Sequence, residues 1–121
     1  MPYENASYGQ ESTQLSKNIL ADGEYTTRKV TVISGQNLIA GSVLGKITAS
    51  SKYNLSLSAA VDGSQTPDMI LGTDCDASAG DKEAIVYETA TVVGSALTLG
   101  AAHTIASIRE GLRAKGLKID D

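Results

Sequence analysis

The stretch Thr27-Arg28-Lys29-Val30-Thr31-Val32-Ile33-Ser34-Gly35-Gln36-Asn37-Leu38, running on through Gly41-Ser42-Val43-Leu44-Gly45-Lys46-Ile47-Thr48, reads as strand, polar glycine turn, strand, glycine, strand. Val30 and Val32 fall on one face of the first strand, and Thr31 and Ile33 on the other. Ser34-Gly35-Gln36-Asn37 is turn chemistry. Gly41 and Gly45 bracket a short apolar strand and mark a bulge or tight bend. The same grammar continues downstream. Tyr53, Leu55 and Leu57 alternate with Asn54, Ser56 and Ser58 as a half-buried strand; Asp62-Gly63-Ser64 is a turn; Met69-Ile70-Leu71-Gly72 is a short buried strand. After an Ala77–Asp81 loop, Ala84 to Val93 is the longest strand, rich in Ile, Val, Tyr and Thr, and Gly94-Ser95 breaks it.

The C-terminus changes period. Ile105, Ile108 and Leu112 recur at helical spacing, with Arg109, Glu110, Arg113 and Lys115 facing away. Thr104 suits the N-cap, and Gly116 the residue just past the helix with Leu117 as its apolar contact. Gly111 inside the helix costs about 1 kcal/mol relative to Ala, so this helix needs packing against the rest of the chain. The first 24 residues differ: Tyr3, Tyr8, Leu15, Ile19 and Leu20 are scattered among polar residues, and Glu4, Glu11, Lys17, Asp22 and Glu24 give a net −3. They sustain no strand period, and Ser16 to Ala21 is the one stretch with helical character. Two readings remain at this point: a disordered tail, or an arm that orders on a partner.

The 121 residues suit one domain. Phe and Trp are absent, so a core must be made of Val, Ile, Leu and Ala. Such a core buries less apolar area per residue, at roughly 25 cal/mol per Å², and partner subunits are expected to cover part of the surface. A net charge of −4 gives no basis for phosphate neutralisation or for an anionic membrane surface, so neither nucleic acid nor membrane is an expected partner. No apolar run approaches a membrane span, and Met1 to Gln10 is polar and acidic, unlike a secretory signal. The single cysteine, Cys75, has no internal partner, in keeping with synthesis in a reducing cytoplasm.

Chemical motifs fall short on inspection. In Gly41-Ser42-Val43-Leu44-Gly45-Lys46 three residues separate the glycines where a phosphate loop has four, and Ile47 stands in place of the Ser or Thr that touches magnesium. In Asp74-Cys75-Asp76-Ala77-Ser78-Ala79-Gly80 the glycine comes one place late for a calcium loop, and Ile85 occupies the position of the bidentate Glu. Cys75 lies between two aspartates and reads as a packed thiol, not a nucleophile. His103 is the only histidine, which leaves Ser-His-Asp and zinc sites without parts. No catalytic, metal or cofactor residue is assigned, and the expected answer to whether this is an enzyme is no.

Four segments in order carry a resemblance. They are Thr27-Arg28-Lys29-Val30-Thr31 with Ser34-Gly35-Gln36-Asn37-Leu38; Gly41 to Thr48; Asp62-Gly63-Ser64-Gln65-Thr66 with Met69-Ile70-Leu71, Asp76 and Ala79-Gly80-Asp81; and a C-terminal helix ending Gly111-Leu112-Arg113-Ala114-Lys115-Gly116-Leu117-Lys118-Ile119. Over these the chain resembles the lambda-type bacteriophage head decoration proteins. One departure is Asp22-Gly23-Glu24-Tyr25, which stands where that family has glycine, acid, aromatic and proline; the proline is missing. The resemblance implies a mainly β, compact body of the β-clip or β-tulip type over residues 25–121, behind a coat-binding arm over residues 1–24. It implies a homotrimer on the outer surface of the virion, at three-fold sites of the expanded head, whose partners are the major capsid protein and itself and which stabilises the coat lattice. It brings no cofactor. On this reading the coat contacts of the arm are Tyr3, Glu4, Tyr8, Leu15, Ile19 and Leu20. Two other classes compete. A lipoyl- or biotinyl-type carrier domain is a small β domain, but Ala79-Gly80-Asp81-Lys82-Glu83 lacks the residues that lead into the modified lysine. A phage surface adhesion module would share the β composition.

Overall fold

The computed structural model describes residues 19–21 and 23–120. Eight strands and one helix follow in order: β1 Thr26–Val32, β2 Asn37–Leu38, β3 Val43–Lys46, β4 Tyr53–Leu55, β5 Pro67–Leu71, β6 Cys75–Asp76, β7 Lys82–Val93, α1 Ile105–Ala114 and β8 Leu117–Asp120, with a 3-10 turn at Gly94–Ala96. The body is therefore mainly β with a C-terminal helix. Its pairings close on themselves. β1 pairs with β4, β4 with β3, β3 with β5, β5 with β7, and β7 back onto β1. This ring is a small barrel, which removes most free strand edges. The weakest joint is β1–β4, a single parallel pair of Val32 with Tyr53. β8 adds in parallel to the second half of β7, and β2 and β6 form a separate two-stranded sheet.

An aliphatic core is split in two. One cluster contains Val30, Val32, Leu44, Tyr53, Met69, Leu71, Ala84 and Val86. The other contains Ile19, Val43, Ile70, Tyr87, Ala90, Val92, Ile108, Leu112 and Leu117. Neighbours in sequence thus go to opposite clusters: Val43 and Leu44, Ile70 and Leu71, Val86 and Tyr87. β3, β5 and the middle of β7 are buried on both faces, which is why they read as unbroken apolar runs and not as an alternation.

β7 changes face along its length. Thr27 is paired with Tyr87 but Thr26 with Thr89, so Glu88 is an extra residue, a β-bulge. A one-residue slip turns every later side chain to the other face. Before the bulge Ala84 and Val86 join the first cluster; beyond it Ala90 and Val92 join the second, together with Tyr87.

The helix ends are set by local chemistry. Thr104 Oγ1 accepts from the Ser107 amide at 3.1 Å, and Ser107 Oγ accepts from the Thr104 amide at 2.8 Å, a complete capping box. Ile108 and Leu112 are buried as their spacing requires, while Arg109, expected on the solvated face, is half-buried. Gly116 has a φ of +98°, the left-handed conformation that ends a helix. The chain does not stay helical up to Ile119. It turns at Gly116 into β8, whose Leu117 is fully buried. A second departure lies after β4: Ser56 is fully buried and Leu57 is 41% exposed, the reverse of the expected alternation. The strand stops at Leu55, the Ser56 amide donates to the Val43 carbonyl at 3.0 Å, and Ser56 Oγ lies 3.1 Å from His103 Nε2.

Aspartates pin the loops. Asp81 pairs with Lys52 and accepts the Ser34 amide at 2.9 Å. Lys52 first, then that amide, hold its carboxyl below the usual aspartate range. Asp62 and Asp76 each accept the hydroxyl and amide of the serine two residues on, and both are lowered by those bonds.

Two measurements test this picture. A Cβ on Gly45 would stand 2.0 Å from the Ser64 carbonyl oxygen, a backbone atom with nowhere to go. Gly45→Ala is expected to lower unfolding stability by about 2 kcal/mol or more, whereas Gly111→Ala, with open space around it, should raise it by about 1 kcal/mol; urea denaturation reads both. A carboxyl lowered in the folded state stabilises fully above the ordinary aspartate pKa and loses that contribution as pH falls through the lowered value. Asp81→Asn should therefore be less stable than the parent near pH 7, with the difference shrinking as pH falls through and below the ordinary aspartate range.

Candidate functional site

The end of β7 is where the N-terminal segment joins the body. The Val93 amide donates to the Ile19 carbonyl at 2.7 Å, the Ala21 amide donates to the Thr91 carbonyl at 2.9 Å, and Leu20 forms an antiparallel bridge with Val92. The helical character expected through Ala21 is absent at residues 19–21, where the main chain instead pairs along β7. Ile19 is 1% exposed and belongs to the second core cluster, with Leu20 packed against it. Ile19 thus packs as a core residue, ahead of residue 25, where the sequence divides arm from body. The remaining arm residues, Tyr3, Glu4, Tyr8 and Leu15, lie outside the described residues. On the opposite flank of the same strand, Val93 is in register with Asp120. Ile19 and Asp120 therefore flank the end of β7 from its two sides.

Tyr25 stands close to this root. It is 44% exposed, and its ring meets Tyr87 edge to face with centroids 5.6 Å apart. Tyr87 is fully buried, and burial, then the nearby Tyr25, push its hydroxyl pKa up. Tyr25 is a surface aromatic fixed by a buried one, worth about 0.5–1.5 kcal/mol beyond area alone. Sequence reasoning took it only as the start of the β pattern.

One end of the barrel carries a polar cluster. The Tyr53 hydroxyl donates to Asp68 Oδ2 at 3.1 Å, and Lys115 Nζ lies 3.2 Å from Asp68 Oδ1. Burial, then Asp68, raise the Tyr53 pKa. Lys115, expected on the solvated helix face, instead ties the end of α1 to β5. Nearby, Arg28 reaches Glu88, the bulge residue, at 3.5 Å.

The near-miss motifs are absorbed by the fold. The amides of Gly41, Ser42 and Val43 donate to the carbonyls of Leu71, Ile39 and Thr98, so they are not turned toward a phosphate. Asp74 Oδ1 accepts the Ala40 amide at 2.8 Å. Burial pushes the Cys75 thiol pKa up, away from a reactive thiolate. Lys82 opens β7 in register with Val32, not at the tip of a hairpin where a carrier lysine is presented. Among the described residues no three metal-ligating side chains gather, and no helix is long and apolar enough to cross a membrane.

No curated protein matches the chain. The family model described as Bacteriophage lambda head decoration protein D matches residues 9–117, a span that takes in every strand of the barrel, the bulge, α1 and the root of the arm. With that coverage and a compact β body bearing no gathered chemical site among its described residues, the chain belongs to the phage lambda head decoration protein D family, structural proteins of the virion that decorate the outside of the capsid.

Proposed function

We propose that this protein is a homotrimer that seats on the expanded head at three-fold sites and holds neighbouring coat subunits together. Its N-terminal arm is the main coat-binding element. The observation that carries this reading is the arm's anchorage: residues 19–21 are paired along β7 and Ile19 is sunk in the core. The chain ahead of that anchor still holds Tyr3, Tyr8 and Leu15, more adhesive residues than a tail needs. Glu4 is its first charge, and Leu20 marks where arm becomes body.

The physics needs no catalytic group. A ligand that binds the assembled shell and not its dissociated parts stabilises the shell by mass action. Three arms on one trimer raise the effective concentration of each other's contacts, so a small surplus per arm suffices. Ordering the arm costs about 1–2 kcal/mol per residue in backbone entropy. Main-chain pairing to a coat strand and burial of the tyrosines offset that cost. The net charge of −4 supports coat protein over nucleic acid or membrane as the partner.

Deleting residues 2–18 should leave a body that melts as the parent does and binds expanded coat shells at least tenfold more weakly in co-sedimentation. Equal binding would move the contact to the body surface. By contrast Ile19→Ala should destabilise the free body by about 2–4 kcal/mol, because it opens a hole in the core. Sedimentation equilibrium of protein released from shells should give three copies per particle; a dimer would overturn the trimer.

A further inference from the structure

We infer that the side of β1 facing away from β7 is a second coat-docking site, which receives an extended, acidic segment of the coat as an added strand. This rests on the coat-binding reading above but concerns the body and not the arm. β1 runs from Thr26 to Val32, and β7 pairs with it along its whole length. On the other side, among the described residues, only Val32 has a strand partner, Tyr53 of β4. The Ile33 amide donates to Tyr53 at 2.9 Å on that side. Peptide groups alternate in direction along a strand, so the amides of Thr27, Lys29 and Thr31 also point away from β7. Among the described residues they meet no acceptor. Beyond the single Val32–Tyr53 joint that closes the ring, β1 therefore offers an edge that can template another strand.

Charge selects the occupant. Arg28 and Lys29 sit side by side on this edge, with side chains 52% and 64% exposed. Their carboxylates are loosely held, Glu88 at 3.5 Å and Glu83 at 3.8 Å. Exposed pairs of this kind are worth about 0.2–1 kcal/mol, so an incoming acid can take the cation over at little cost. A second copy of β1 would set Arg28 and Lys29 against their own kind, which disfavours self-pairing. The edge is guarded against its sister subunits and open to an acidic strand. Position adds a further argument. β1 begins a few residues after the arm root at Leu20, so a coat subunit held by the arm lies within reach of the edge.

The test is residue-resolved amide exchange of the full-length protein, free and on expanded coat shells, with two variants. Thr27, Lys29 and Thr31 are expected to exchange at least tenfold more slowly on shells. Lys29→Pro removes an outward amide without touching the β7 pairing and should weaken shell binding at least tenfold, while Lys29→Ala, which keeps the amide, should stay within about threefold. Unchanged exchange at the three amides on shells overturns the inference, and so does equal binding of the Pro and Ala variants. Slow exchange in free protein that grows with concentration also overturns it, because the occupant is then a second copy. If Lys29→Pro does not fold, the exchange of the parent decides. Should residues 2–18 become protected on shells while β1 stays fast, the arm reading stands and this one falls.

Discussion

The extra residue at Glu88 is the constraint on which the rest of this fold depends. A single twelve-residue strand, β7, has to line two hydrophobic clusters that lie on opposite sides of the sheet. A regular strand offers each face to one environment for its whole length. The bulge changes the assignment halfway, so that Val86 looks into the barrel while Ala90 and Val92 look toward α1 and β8. Without it the second half of β7 would turn its apolar residues away from the helix. With it, a chain lacking Phe and Trp gains a second packed layer, built of aliphatics around Tyr87.

This division also explains what the amino-acid sequence showed and what it hid. The apolar runs at Val43-Leu44, Met69 to Leu71 and Ala84 to Tyr87 were legible as strands because burial on both faces leaves no polar interruption. The Thr104 cap and the Gly116 stop were legible because they are local chemistry. β8 was hidden: four residues joined in parallel to a strand more than twenty residues earlier leave no local period. Ile19 was hidden for the same reason, since its partners, β7 and the helix layer, are far away in sequence. Ser56 and Leu57 misled because alternation was carried past the end of a strand whose last residue only the fold reveals. Lys115 looked solvated because the acceptor that holds it, Asp68, is 47 positions away.

On the reading proposed above, recognition in this protein is a matter of main chain and surface. Its ionisable groups serve the architecture: Asp81, Asp62 and Asp76 hold loops, Asp68 joins strand to helix, and the thiol of Cys75 is packed away. The same economy appears in the glycines at crossings, where the Gly45 backbone lies against Ser64 so closely that no side chain fits. Loops and strands are tied together by these contacts.

The way the arm enters the body has a mechanical consequence. Residues 19–21 lie antiparallel to the end of β7, bonded at Val93 and at Thr91, while β8 grips the other flank of the same four residues. A tension drawn along the strand axis loads these bonds together, in shear, instead of peeling them one after another. It also tries to drag Ile19 out of a packed core. The junction therefore behaves as a lap joint, strongest against a pull along the axis of β7.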